Sequence, residues 1–299
     1  GLVSGLDTAS ILEQLKEAAS APIQRLQTKQ AEAQAKLTAW QAINTELLAF
    51  KLQASSLAFN TTFNTKTASS SNEASVTVSA SSSASAGDYS FIVESLAQTH
   101  RINSQGYALD SDEVGNGTVE IAIGDGEAVS ITIEEGTTLA GLRDKINNAD
   151  AGVKAFIVNT GSGDTPYNLV ITSKTSGMEG AITITSNLSG GMSPTFSDLQ
   201  AAADAVIDLG GGLTITRSSN TINDIFPGLT LNLNGADPEE TVTIRVAYDT
   251  SGVKEKITAL VDKYNELVEF IEEQWEYDSD TEETGTLFGE YTLFEIQSK

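Results

Sequence analysis

Ile23-Gln-Arg-Leu26-Gln-Thr-Lys-Gln-Ala-Glu-Ala33-Gln-Ala-Lys-Leu37-Thr-Ala-Trp40-Gln-Ala-Ile43 is rich in good helix formers and poor in apolar bulk. Outward from it, Leu12, Ala19, Leu26, Ala33, Trp40, Leu47 and Ala54 recur every seven residues. Leu15, Ile43, Phe50 and Leu57 lie three further on, and Ile23 and Leu37 four further on. Those offsets share one side of a helix, as in a coiled-coil seam. Pro22 breaks the register, and its fixed φ suits the first turn of a second helix with Ser20 as cap. Between Gln24 and Ala39 the only large apolar side chains are Leu26 and Leu37. A buried Leu contributes about 1.5–3 kcal/mol, whereas ordering each backbone residue costs about 1–2 kcal/mol. The helix is therefore expected to be an arm that orders against a partner: another part of the chain, another copy or a different protein. Leu12, Leu15, Leu26, Leu37, Trp40, Ile43 and Leu47 are its expected contact residues.

Composition narrows the function. The chain has 299 residues, room for two or three domains, and only 6% aromatics, so its cores should be aliphatic. No run of apolar residues is long enough to span a membrane, and no Lys/Arg-headed secretory leader is visible. The absence of cysteine excludes disulfides and thiolate metal sites. The single histidine, His100, excludes most zinc sites and reads as a surface or strand-end residue. Net charge is −24 and uneven: residues 1–66 carry six Lys/Arg and five Asp/Glu, and the remainder eleven and thirty-six. So acidic a surface repels nucleic acid and anionic membranes. From Glu266 to Glu295 there are eleven acids and no base, which reads as a solvated helix face and loop, or as a rim that spaces subunits.

No enzyme motif survives inspection, and no cofactor is expected. Asp278, Asp280 and Glu282 echo the start of a calcium loop, but the required Gly and terminal Glu are misplaced. Gly210-Gly211-Gly212 precedes a strand, so it reads as a turn rather than a phosphate cradle. Ser162 in Gly161-Ser-Gly163 lacks the nucleophile elbow.

After the arm, alternation predicts strands at Ser75–Val78 and Tyr89–Val93. Val119–Ile123 and Val129–Ile133 form a hairpin across Gly124-Asp-Gly126, followed by a helix with Leu139, Leu142 and Ile146 on one face, capped by Thr137 or Thr138. Strands are expected around Phe156–Val158, Leu169–Ile171 and Ile182–Ile184, then a short helix at Leu199–Val206, then strands at Leu213–Thr216, Leu229–Leu233 and Val242–Val246. Val253, Ile257, Leu260, Tyr264, Leu267 and Ile271 define a packing stripe on a last long helix, capped by Asp249, Thr250 or Ser251 and ending near Trp275.

Several of these stretches resemble one family. Gly1-Leu2-x-Ser4-Gly5-Leu6-Asp7, Ile11-Leu12-x-x-Leu15 and Ala21-Pro22-Ile23-x-x-Leu26 are similar to the N-terminal signature of the hook-associated protein type 2, or flagellar cap, family. Ala86-Gly87-Asp88-Tyr89-Ser90, Arg217-Ser218-Ser219-Asn220 through Pro227-Gly228-Leu229, and Tyr264-Asn265-x-Leu267-Val268 continue the likeness. Leu139 to Asn147 and Leu169-x-Ile171-x-Ser173-x-x-x-Gly177 resemble a module found in flagellins and hook-associated proteins.

The resemblance implies an α+β, elongated, multi-domain chain. Its parts would be a coiled-coil-like helical arm (1–44), a mixed leg (45–98 plus 247–299), a β-rich plate (99–116 plus 188–246) and an inserted module (117–187). It implies a homo-oligomeric cap at the distal tip of a bacterial flagellar filament, exported without a cleaved signal peptide. Such a cap retains flagellin and promotes its insertion. The implied partners are itself, flagellin, the filament end or hook–filament junction proteins, and an export chaperone. The alternatives are another filament or junction component, or a surface adhesin that binds host glycans. A cap-family chain would continue through helices returning to the arm, so the likeness implies a C-terminally truncated member.

Overall fold

The computed structural model describes residues 8–297. The Gly1–Asp7 opening and Ser298 lie outside the described residues. Helix α1 runs without interruption from Thr8 to Leu57. The second helix expected at Pro22 does not begin there: Pro22 sits inside α1, and Ser20 donates its hydroxyl to the Glu17 carbonyl at 2.9 Å instead of capping. Proline removes one N–H from the ladder, and the glycine-free helix on either side carries across the gap. A single turn, α2 (Asn60–Phe63), follows.

The chain then turns to strands: β1 (Lys66–Ser70), β2 (Val76–Ala80), β3 (Gly87–Ser95), β4 (Thr99–Ser104), β5 (Asn116–Ile123) and β6 (Val129–Ile133). Helix α3 (Leu139–Asn148) is capped by Thr138, whose hydroxyl accepts from the Gly141 N–H at 3.1 Å. Strands β7 (Val153–Asn159), β8 (Tyr167–Ser176), β9 (Ile182–Ser189), β10 (Phe196–Gln200), β11 (Ala205–Asp208), β12 (Thr214–Arg217), β13 (Thr221–Ile222), β14 (Leu229–Leu233) and β15 (Asp237–Tyr248) follow. Helix α4 (Thr250–Trp275) is capped by Asp249, and α5 spans Tyr291–Gln297.

Two compact units result: residues up to Asn64 together with those from Asp249, and Thr65–Tyr248. The expected leg had joined 65–98 to the helices. Backbone pairing sends those residues elsewhere, because β1 and β3 flank β15 in the antiparallel sheet β1-β15-β3-β11-β12.

The β unit holds two aliphatic cores. In one, the five-stranded sheet and the sheet β13-β14-β2 enclose Phe91, Val93, Ile207, Val242, Ile244 and Val246. Strict alternation sends Leu229, Leu231 and Leu233 of β14 into the same core. In the other, Leu139, Leu142 and Ile146 of α3 pack with Val119, Ile121, Ile131 and Ile133 of the hairpin and with Leu169 and Ile171. This core is framed by the sheets β6-β5-β9 and β10-β4-β8-β7. Residues 99–104 and 196–200, expected in the plate, pair here with β8 through β4.

Two further expectations are corrected. Leu199–Val206 is no helix: its first residues end β10 against β4, and its last begin β11 between β3 and β12. Its helical spacing joined apolar residues of two different sheets. His100 is not a surface residue, since it lies on the inward face of β4 with Ile102 and Ser104. Its Nδ1 accepts from the Ile182 N–H at 2.7 Å, which places the ring proton on Nε2, 3.1 Å from Asp198 Oδ1.

Tyr107 is fully buried among the α3 core residues, and its hydroxyl donates to the Met192 carbonyl at 2.7 Å. Burial pushes this phenol up to about 12, opposed by a hydrogen bond from Gln105. An unfolded tyrosine ionises near 10. The protein should therefore keep this contribution below about pH 10 and lose it as pH rises toward about 12. Urea midpoints across that window should fall in the parent and fall less in Tyr107→Phe; parallel curves would contradict the assignment.

Candidate functional site: the exposed face of the helical arm

One helix, α1, lives in two environments. Toward its C-terminal end, Ala39 and Ile43 are buried with Leu267 and Ile271 of α4, Leu287, and Leu293 of α5. Trp40, Leu47 and Phe50 pack half-buried against that cluster. Lys263 reaches across from α4 to Glu46 at 2.7 Å and to Glu266 at 2.9 Å, contacts that hold its ammonium above its ordinary range. Lys36 bonds Glu290 at 2.6 Å just ahead of α5.

Before residue 39 the packing stops. Leu12, Leu15, Leu26 and Leu37 are 60%, 62%, 68% and 50% exposed, while Ile43 is 1% exposed. Ile11 and Ile23 are exposed beside them. Of the expected contact residues, the structure thus brings Trp40, Ile43 and Leu47 into the helical core and leaves four leucines on the surface. The α4 stripe divides likewise: Leu267 and Ile271 are buried, Val253 and Leu260 half-buried, and Ile257 and Tyr264 exposed. Sequence reasoning missed Ala39, Leu287 and Leu293. Ala39 is one residue off the heptad count, and the two leucines follow an acidic loop that masks their spacing.

That loop carries no bound-ion geometry. Asp278 spends its carboxylate on the N–H groups of Asp280 and Thr281, which hold it below the usual carboxylate range. Among the described residues no three His, Asp or Glu side chains cluster as metal ligands, and no helix is long and apolar enough to cross a membrane. The three glycines 210–212, all at positive φ, form the turn between β11 and β12. What the surface offers is a run of unpaired apolar side chains on a helix, suited to another helix.

Known proteins bear on this arrangement. The description "Flagellar hook-associated protein 2 N-terminus" matches residues 4–100, and its C-terminus counterpart matches 202–299. Together they take in both halves of the helical unit. The chain belongs to the flagellar hook-associated protein 2 family. Between the two matches, a flagellin hook IN motif covers 115–175, the region of the hairpin, α3 and most of β8. The hook-associated protein 2 of Campylobacter jejuni is 31% identical over the whole of this chain, which spans 53% of that protein. That of Escherichia coli is 29% identical, again over the whole chain and 68% of its own length. Among solved structures, the D1-D2-D3 domains of the flagellar cap protein from Escherichia coli superpose with a TM-score of 0.68 at 28% identity. They cover 88% of this chain and 75% of that one. The Pseudomonas aeruginosa protein gives a TM-score of 0.57 at 28% identity over 69% of this chain and 98% of that one. The chain spans about half to two thirds of the length of these curated relatives.

Proposed function

We propose that this chain acts as a flagellar cap subunit, by assembly. Copies associate through the α1 face bearing Leu12, Leu15, Leu26 and Leu37, at the distal end of the filament, where the ring retains exported flagellin and guides its insertion. The observation that carries this reading is the change along a single helix from buried at Ile43 to exposed at Leu37 and beyond. A row of exposed large apolar side chains along one helix marks an interaction site. The hook-associated protein 2 relatives and the flagellar cap structures support a filament-tip partner. No covalent step is required. Removal of the encoding gene should abolish swimming and release unpolymerised flagellin into the medium. Intact filaments on the deletion strain would overturn the reading.

A further inference from the structure

Two segments singled out in the sequence, Leu169–Gly177 and the stretch opening at Arg217, meet inside the β unit. We infer that the turn Ser176–Glu179 is a clasp that locks the two β cores of residues 65–248 into one rigid body. Only two strands of chain cross between the cores: residues 96–98, from β3 to β4, and residues 201–204, from β10 to β11. They pair with each other through the Gln98 N–H and the Ala203 carbonyl at 2.7 Å. Two antiparallel crossings alone form a hinge, and lobes joined that way ordinarily move.

The turn supplies the third attachment, which is not covalent. The Gly177 N–H donates to the Gln98 carbonyl at 3.0 Å, and the Met178 N–H to Asp204 Oδ1 at 2.6 Å. The Ser176 hydroxyl donates to the Ser218 carbonyl at 2.6 Å, and the Ser218 hydroxyl to Glu179 Oε2 at 3.0 Å. Three consecutive residues of the turn donate and the fourth accepts, so the turn cannot slide without breaking several bonds together. Gly177 is required twice over. Its φ is 75°, and a Cβ there would lie 2.4 Å from Ser218 Cα and 2.5 Å from Asp204 Oδ1. Asn220 extends the seam on the far side, bonding both the N–H and the carbonyl of Ala97 at 2.7 and 2.9 Å. A load applied to the α3 core is thereby delivered to the five-stranded sheet without loss in a hinge.

The absence of cysteine makes the test clean. Nitroxides on Thr67→Cys in β1 and Lys154→Cys in β7, both exposed, report the separation of the cores by double electron–electron resonance on the full chain. The parent should give one narrow distance distribution, and Gly177→Val should widen it roughly twofold or more. Should Gly177→Val lose its β circular dichroism, Ser176→Ala/Asp204→Ala, which removes only clasp hydrogen bonds, gives the same readout. A broad distribution in the parent, or an unchanged one in a folded variant, would overturn the clasp. Unfolding of both variants would also overturn it, because the turn would then be holding up the cores and not joining them.

Discussion

Leu26→Asp should abolish self-assembly while leaving the stability of the isolated chain almost unchanged. Leu26 is 68% exposed, so the monomer has no packing to lose there. Surface substitutions of this kind shift stability by no more than about 0.5 kcal/mol, with a similar helix-propensity penalty for Asp. In an assembled seam the balance differs. Losing the leucine forfeits about 1.5–3 kcal/mol, and a carboxylate taken from water without a partner adds several kcal/mol. A combined loss of roughly 4 kcal/mol weakens association about a thousandfold. Sedimentation velocity over a concentration series, paired with circular dichroism, reads both quantities. An unchanged association constant would sink the proposed interface, and a collapsed β signal would show that α1 supports the β unit. Trp40→Asp is a poorer probe than its heptad position implies: Trp40 packs against the Ile43 cluster, so the change should damage the helical core as well as assembly.

Periodicity made the elements legible wherever one face alone was buried. The hairpin across Gly124-Asp-Gly126, the Thr138 cap and β14 all follow from spacing and turn chemistry, because the local signal and the tertiary environment agree. Where the two disagree, reading along the chain fails. Ala201-Ala202-Ala203 favours helix locally, yet pairing with β4 and β3 wins on either side. His100 could be read as a surface residue because nothing in its neighbourhood announces that Ile182, eighty-two residues on, needs an acceptor. The division into units was hidden for the same reason: β1 and β15 lie far apart in sequence and adjacent in the sheet. The arm's deficit of apolar bulk was visible from Leu26 and Leu37 alone. The residue at which its packing begins was not, because it depends on Leu287 and Leu293 returning beside it.

Ile43→Ala probes that boundary from the other side. Ile43 is 1% exposed, and its neighbours come from three separate stretches: α1 itself, α4, and the segment from Leu287 to Leu293. Truncating a buried Ile to Ala costs about 2–5 kcal/mol when the site cannot collapse. Among the described residues only six buried side chains make up this core, so little else is available to compensate. The helical unit should therefore unfold at markedly lower denaturant, while the β unit, whose two cores share no residue with it, keeps its midpoint. Far-ultraviolet circular dichroism near the helical minimum and amide hydrogen exchange of β3 and β8 in the β unit should then give separate transitions, a departure from two-state behaviour. Coincident shifts in both probes would show that the units fold together. The contrast with Leu26→Asp is the decisive part. Both residues sit on one heptad-patterned helix, seventeen positions apart. One change should remove association without touching stability, and the other should lower stability first, because between Leu37 and Ala39 the helix passes from an exposed apolar face to one that packs on its own chain.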